Sequence, residues 1–465
     1  MYRTMQLQFT IAALALPLFA APLAAQRETP PPVAQPRDFK LPARREFTLP
    51  NGMQVTLVPF GTVPKATVTL TVRAGRIDQR PNEVWLADLT GDMMNEGTTT
   101  RTAAQVAAEA AGMGGALSIG VASDRTEIGG EVLGERAADM VRLVADAARN
   151  PRLPAAELER LKADRLRTLS ITRSQPQPIA DEKFRQLLFG DHPYGRVYPT
   201  EAMLKGFTIA QVRGFHAANF GALRSHLYVA GVFDQAAVER AIRAAFTDWK
   251  RGAPPTQNVP KQKSGRTVAL IDRPGAVQST VMVGLPVPDP THADYTALEV
   301  TDALLGGAFG SRITSNIREQ KGYTYSPFST ITPRYHTAYW YEQADVTTNV
   351  TGASLKEIFG EIDRLRSEAP PADELTGIKN NLAGIFTLRN GSRAGIISQL
   401  QFVDVQGLED SYLSGYVGRL LTVTPQDVQR IARDHLQPEN MVIVVVGDRK
   451  TVADQVAPFN APAVP

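Results

Sequence analysis

Two aspartates, Asp88 and Asp92, interrupt an apolar stretch that reads WLADLTGDMMNEGT (85–98). In a helix this spacing places both side chains on one face, one turn apart. Two carboxylates at that separation repel each other, so the pair needs a compensating partner or water. Carboxylates could also hold Ca²⁺ or Mg²⁺, but such sites usually need more oxygens at close spacing. A metal site is therefore the less favoured interpretation.

Other common catalytic and metal-binding motifs are missing from the chain. No two of the six histidines lie three or four residues apart, so neither HExxH nor its inverse occurs. The absence of cysteine excludes disulfides and thiolate sites. No Gly-x-Ser-x-Gly elbow or P-loop occurs. The glycine-rich run LLGGAFGSR (304–312) lacks a nucleotide-binding context and predicts a tight helix turn or close packing.

A second candidate pair, Arg318 and Tyr325, lies in LLGGAFGSRITSNIREQKGYTYSPFST (304–330). The pattern predicts a helix that stops at Gly322, with Arg318 on its last turn, where a cation suits the helix dipole. A strand YTYSPFST would then place Tyr325 on the same face as Tyr323. Arg318 and Tyr325 could converge on a carbonyl oxygen as an oxyanion-type clamp. Spacing alone favours the alternative of a helix-end arginine and core-packed tyrosines.

The elements that position these residues form two repeats. Residues 207–234 match residues 423–448 at a constant offset of 216, from Thr208 with Thr424 to Gly231 with Gly447. Each copy predicts a Thr-capped helix followed by a buried strand. A weaker similarity links VTLTVRAG (68–75) with TVMVGLP (280–286). The Pro-rich stretch 251–265 predicts a linker between the halves.

We therefore expect an α+β fold of two homologous halves, each a largely antiparallel sheet with helices packed on one face. The predicted boundaries are a signal peptide at 1–25, a flexible lead-in at 26–44, domains at 45–250 and 266–455, and a tail at 456–465.

Charge and the N-terminal sequence suggest where the protein acts. The chain has 50 basic and 47 acidic side chains, without a basic stripe that would bind nucleic acid or an anionic membrane. Residues 1–25 carry one arginine, an apolar run and small residues, which is typical of a secretory signal peptide. We expect an exported protein, periplasmic in a Gram-negative host, with no membrane span after cleavage.

The segment SNIREQKGYTYSPFS (315–329) resembles the second-half signature of the pitrilysin/insulinase-type zinc peptidases. That group includes mitochondrial processing peptidase subunits and bacterial two-subunit relatives. The stretches LPNGMQVTLVP, AGRIDQ, GGALS, FGDHPYG and VGD also occur along the chain in the order found in the family. The resemblance covers about residues 45–450.

The resemblance implies that the zinc motif of this chain is degenerate. Active members carry HxxEH before a Gly-Thr, and here Asp88 and Asp92 stand in the histidine positions and Gly91 in that of the general base. The third ligand, a glutamate in active members, would fall near Arg167 or Thr168. Zinc-water activation should then fail in this chain. We expect no metal here and zinc in a partner subunit.

The same resemblance implies a role for Arg318 and Tyr325, which match an Arg/Tyr pair that binds the scissile peptide. Some bacterial relatives divide the work between a zinc chain and a zinc-less chain with this pair. The chain is thus predicted to be the zinc-less subunit of a heterodimeric peptidase acting on peptides, with a homologous HxxEH partner. The alternatives are a non-catalytic binding or scaffold protein and, less favoured, a hydrolase that uses other residues.

Overall fold

The computed structural model describes residues 39–460. The predicted signal peptide (1–25), most of the lead-in (26–44) and the end of the tail (456–465) lie outside the described residues. No helix within 39–460 has the length and apolar character needed to cross a membrane.

The first half of the chain forms a six-stranded sheet in the order β1-β2-β6-β3-β5-β4. All neighbouring strands are antiparallel except β2 and β6. The strands are β1 (Arg45–Thr48), β2 (Gln54–Pro59), β3 (Lys65–Val72), β4 (Ser118–Val121), β5 (Thr126–Leu133) and β6 (Ser225–Gly231).

The second half repeats this arrangement as a five-stranded sheet in the order β7-β11-β8-β10-β9. Its one parallel pair, β7 with β11, corresponds to β2 with β6. Val68 of β3 pairs with Val229, and Val281 of β8 pairs with Val445. Equivalent strands of the two halves thus pair in the same way, which confirms the predicted similarity between β3 and β8. The strands are β7 (Thr267–Asp272), β8 (Gln278–Val287), β9 (Phe328–Arg334), β10 (Thr337–Thr347) and β11 (Val442–Gly447).

The helices preserve the repeat as well. In the first half they are α1 (Leu86–Met94), α2 (Ala103–Gly112), α3 (Ala137–Arg149), α4 (Leu158–Ser174), α5 (Pro176–Phe189), α6 (Glu201–Gly206), α7 (Ile209–Asn219) and α8 (Gln235–Phe246). In the second they are α9 (Tyr295–Asp302), α10 (Thr351–Ser367), α11 (Ala372–Asn390), α12 (Arg393–Gln406), α13 (Asp410–Ser414), α14 (Tyr416–Thr422), α15 (Pro425–His435) and α16 (Arg449–Val456). Both ends of α7 and α15 keep the 216-residue offset, and Thr208 and Thr424 cap them through capping boxes.

The mixed α/β architecture confirms the predicted fold class, with one addition. Helices of each half pack on one face of their own sheet, and the other face receives a helix from the opposite half. Phe184 and Leu188 of α5 join the apolar cluster on the second sheet. Ile396 and Leu400 of α12 join the cluster on the first sheet. This exchange ties the halves into one body.

The stretch between α8 and β7, which includes the predicted linker 251–265, has no helix or strand. Hydrogen bonds nevertheless hold it against both halves. The Lys263 amide donates to the Leu188 carbonyl at 2.9 Å, and Gln262 Nε2 donates to the Ala338 carbonyl at 2.9 Å.

Candidate functional site

Helix α1, which carries the degenerate motif, starts from a strained residue. Trp85 has φ 71° and ψ 9°, a left-handed conformation that bulky residues rarely adopt. Its backbone amide donates to Gln79 Oε1 and its indole nitrogen donates to the Val197 carbonyl, both at 3.0 Å. These bonds fix where the helix begins and hence where its acids project.

Both aspartates of α1 form ion pairs with arginines. Asp88, only 3 % exposed, accepts two hydrogen bonds from Arg76, at 2.9 Å from Nε and 2.6 Å from Nη2. One turn later, Asp92 accepts from Arg165 of α4 at 2.5 and 2.7 Å. Arg165 Nη2 also donates to the Asp88 carbonyl at 3.2 Å, so it bridges the two turns.

These two bidentate contacts offset the repulsion between the two carboxylates. Each carboxylate has its own guanidinium, in a bidentate geometry that is stronger than an ordinary hydrogen bond. The hydrogen bonds to Asp88 raise the pKa of Arg76 above its usual value. The acids therefore belong to a local ion-pair network.

Arg165 is the residue of α4 that binds Asp92 of α1, whereas the expected third-ligand positions, Arg167 and Thr168, make no such contact among the described residues. Both of those residues are exposed and contact Asp164, at 3.0 Å in each case. Arg165 also lies over the Trp85 ring, 5.8 Å from its centroid. A cation of α4 thus lies directly against the two acids of α1.

Gly91, at the position of the general base, leaves no room for a side chain. A Cβ there would lie 2.6 Å from Cγ2 of Val121, at the end of edge strand β4. A glutamate at this position would have to displace Val121.

The donor set around Asp88 and Asp92 does not fit zinc. It offers no imidazole, and both acids already bind arginines. Within residues 39–460, no group of three or more His, Asp or Glu side chains is arranged to hold a metal ion.

Arg318 lies between two exposed rings in the second half. It sits on a π-helix, Thr314–Gln320, and Gly322 turns the chain back with φ +66°. The guanidinium carbon is 4.6 Å from the Phe309 centroid and 5.0 Å from the Tyr325 centroid. Phe309 is 75 % and Tyr325 78 % exposed. The predicted proximity of Arg318 and Tyr325 is present, on a surface open to a ligand.

The secondary structure around Tyr325 differs from the prediction. The strand starts at Phe328, so neither Tyr323 nor Tyr325 belongs to it. Tyr323 packs partly against the core, and its carbonyl accepts from the Thr347 amide at 3.0 Å. The core-packed interpretation thus holds for Tyr323 and is wrong for Tyr325.

In the described part of the chain, the two candidate sites share no direct polar contact. Among the described residues, no hydrogen bond or ion pair joins Arg318 or Tyr325 to Asp88 or Asp92. The nearest ionic partner of Arg318 is its neighbour Glu319, at 3.1 Å.

Sequence reasoning missed an acidic cluster beside the glycine-rich run, in which Glu342 is buried and Glu299 and Asp302 are partly buried. Burial raises the pKa of Asp302 to about 6 and that of Glu299 to about 8, and raises the pKa of Glu342 well above its usual value. Trp340 Nε1 donates to Asp302 at 2.7 Å. Glu342 pairs with Val283, in the place where the first sheet has the buried Ile128 opposite Leu70.

This acidic cluster positions the loop that carries Phe309. A Cβ on Gly306 would lie 2.6 Å from Glu342 Oε2, and one on Gly307 would lie 2.7 Å from Asp302 Oδ2. Only glycine allows this approach, so the predicted close packing of the run is confirmed. The two adjacent glycines, Gly306 and Gly307, are the feature of the sequence that indicates this close packing.

Comparison with known families gives two adjacent matches. Residues 57–198 match the family described as "Insulinase (Peptidase family M16)". Residues 206–382 match the family described as "Peptidase M16 inactive domain".

Individual relatives and solved structures are also similar to this chain. An uncharacterized zinc protease of Mycobacterium tuberculosis is 28% identical over 420 residues, which cover 87% of this chain and 93% of the relative. One from Mycobacterium leprae is 29% identical over 61% of this chain and 65% of its own length. The structure of a peptidase M16 inactive domain from Pseudomonas fluorescens superimposes with a TM-score of 0.79 at 24% identity, covering 87% and 98% of the two chains. A protease from Helicobacter pylori gives 0.81 at 19% identity, covering 88% and 100%.

Proposed function

Because the chain belongs to peptidase family M16, the insulinase family, we propose that it is the zinc-less subunit of a heterodimeric, periplasmic metallopeptidase. A homologous partner with HxxEH holds the zinc ion. This chain contributes Arg318 and Tyr325 to the peptide-binding side of the partner's site.

The contrast between the two candidate sites carries the proposal. At the degenerate motif, Arg76 and Arg165 take up the charge of both aspartates. Tyr325 instead stands at the surface, where its ring is 78 % exposed, and the partly buried Arg318 guanidinium lies over that ring. A chain that has lost its own metal chemistry thus keeps a pair of hydrogen-bond donors open to a ligand.

The two donors suit a peptide carbonyl. The Arg318 guanidinium and the Tyr325 hydroxyl can donate to its oxygen, and both bonds strengthen as the oxygen gains negative charge during hydrolysis. Loss of one such donor typically lowers kcat by about 10²–10³. The rings of Phe309 and Tyr325 restrict the guanidinium, so less ordering remains for the bound state.

An extended substrate has a strand edge beside this pair. Strand β9 begins at Phe328, three residues after Tyr325, and it forms the edge of its sheet. A peptide could add to that edge through main-chain hydrogen bonds.

The test begins with purification of the tagged chain from its native envelope fraction and mass spectrometry of co-purifying proteins. We expect a stoichiometric partner with HxxEH. In the reconstituted complex, Arg318→Ala should lower peptide turnover by about 100-fold without weakening assembly. Lys321→Ala is the matched control, since this nearby exposed cation pairs with Glu357 at 3.4 Å.

Two outcomes would contradict the proposal. Intact turnover in the Arg318→Ala complex would remove the role of the pair. Recovery of the chain alone would favour the scaffold alternative, which the neutralised zinc motif also supports.

A further inference from the structure

A cavity of about 580 Å³ lies where the two halves meet, and we call it the interhalf cavity. The first half contributes Arg76 and the β4–β5 turn, including Asp124 and Arg125. The second half contributes Arg334 at the end of β9 and the polar face of α12, including Gln401 and Gln406.

The cavity borders the degenerate motif. Arg76 lines the cavity and at the same time binds Asp88. Val121 also lines it, and this is the side chain that a Cβ at Gly91 would meet. A ligand in the cavity would therefore lie beside α1.

The three arginines that line the cavity differ in their ion pairs. Arg76 is paired with Asp88, and Arg125 is paired with Glu127 at 2.6 Å. In the described part of the chain, Arg334 has no carboxylate within 4.0 Å, and its side chain donates only to the Pro333 carbonyl at 3.4 Å. Its guanidinium lies over the Tyr194 ring at 6.0 Å, and its buried Nε has no partner among the described residues.

Among the described residues that line the cavity, Asp124 is the one acid. Its carboxylate accepts a hydrogen bond from the Tyr194 hydroxyl. Burial raises its pKa above the usual value. A second cation, Arg73, lies close by over the Tyr335 ring at 5.2 Å and forms no ion pair within the described residues.

A buried acceptor accompanies the free cation. Gln406 is 4 % exposed, and its Nε2 donates to the Arg334 carbonyl at 3.0 Å. That bond fixes the amide orientation, because a flipped amide would oppose two acceptors. Gln406 Oε1 is left buried without a donor among the described residues. Arg334 and Gln406 both line the cavity, and each carries a buried polar atom that has no partner among the described residues.

We propose that the interhalf cavity binds the C-terminal residue of a peptide. The terminal carboxylate binds Arg334, and the last amide N–H donates to Gln406 Oε1. A simple anion would satisfy the arginine but would lack the amide donor. The inference rests on the proposed function in that the chain binds peptides, and it adds which end of the peptide is held.

The test compares two fluorescently labelled peptides of one sequence, one with a free C-terminal carboxylate and one with a C-terminal amide. Binding to the mature chain is measured by fluorescence anisotropy. We expect the free acid to bind about tenfold or more tightly. Arg334→Met should abolish this preference, and Arg334→Lys should reduce it. Arg142→Met, at an exposed arginine of α3 paired with Asp139, should keep it.

Competition on the wild-type chain tests the site even if Arg334→Met does not fold. N-acetylglycine should displace the acid peptide, and the same concentration of inorganic phosphate should not. Equal displacement by phosphate would overturn the assignment to a peptide terminus. Equal binding of acid and amide peptides would overturn this inference and leave the proposed function intact. Failure of both peptides to bind would overturn it as well, and turnover of the Arg318→Ala complex would then decide the proposed function separately.

Discussion

Arg165 of α4 holds Asp92 of α1 through two hydrogen bonds, of 2.5 and 2.7 Å. With the matching contact of Arg76 on Asp88, two positive charges lie against two carboxylates. A divalent cation would contribute the same charge at this place. The ion-pair network therefore explains how an apolar helix keeps two acids on one face without a metal.

Removal of Arg76 should destabilise the chain. Arg76→Met leaves the buried Asp88 carboxylate without its main partner, and breaking a buried pair in this way costs about 3 kcal/mol. Urea denaturation at pH 7 measures the free energy of unfolding. Adding Asp88→Asn should recover most of the loss, because the uncompensated charge is gone. Arg80→Met, at an exposed arginine, is the control. A single Arg76→Met variant as stable as wild type would contradict the prediction.

Restoring the motif residues should not restore zinc binding. The triple variant Asp88→His, Gly91→Glu, Asp92→His still meets Arg165 and still crowds Val121. We expect it to retain no zinc after dialysis, as measured by mass spectrometry of the metal content. Adding Arg165→Glu and Val121→Ala supplies the third carboxylate and the space, and should give stoichiometric zinc.

The matched control for this series places the glutamate at Arg167 instead of Arg165. It should bind no zinc, because the side chain points away from α1. Stoichiometric zinc in the triple variant, or equal zinc with either glutamate, would refute the assignment of the facing position.

The sequence predicted what depends on local pattern. The offset of 216 carried over to α7 and α15, because caps and apolar spacing are local properties. The facing residue of α4 was missed, because residues two positions apart on a helix differ by about 200° in direction. The exchange of α5 and α12 was also invisible, since an apolar stripe shows that a helix is buried but not against which sheet.

The start of β9 shows how one residue limits a strand. Tyr323 and Tyr325 have strand-forming side chains, yet only an isolated bridge joins Thr324 to Val346 of β10, and continuous pairing begins at Phe328. Pro327 lacks the backbone N–H that a ladder needs, so the strand starts directly after it. Tyr325 consequently remains in an exposed turn, where it contacts Arg318.

The acidic cluster of Glu299, Asp302 and Glu342 should make stability depend on pH. The pKa of Asp302 is raised to about 6 in the folded chain, against about 3.9 when unfolded. Protonation therefore stabilises the fold at low pH. The free energy of unfolding should fall as the pH rises from about 4 to about 6, by on the order of 3 kcal/mol from this group.

Urea denaturation across this pH range checks the prediction. Asp302→Asn keeps an acceptor for Trp340 and should make the fall smaller, with the remainder coming from Glu299 and Glu342. Asp363→Asn, at an exposed acid of α10, should leave it unchanged. A pH dependence of Asp302→Asn equal to that of wild type would show that the acid is not protonated in the fold.

Phe309 should position Arg318 for turnover. Its ring lies 4.6 Å from the guanidinium carbon, so Phe309→Ala frees the arginine on one side. In the reconstituted complex we expect kcat to fall by about tenfold, less than for Arg318→Ala, with little change in KM. Phe309→Tyr should retain activity because it keeps the ring. Since Phe309 is 75 % exposed, the melting temperature should not change in either variant. A Phe309→Ala complex with wild-type kcat would show that Arg318 does not depend on this contact.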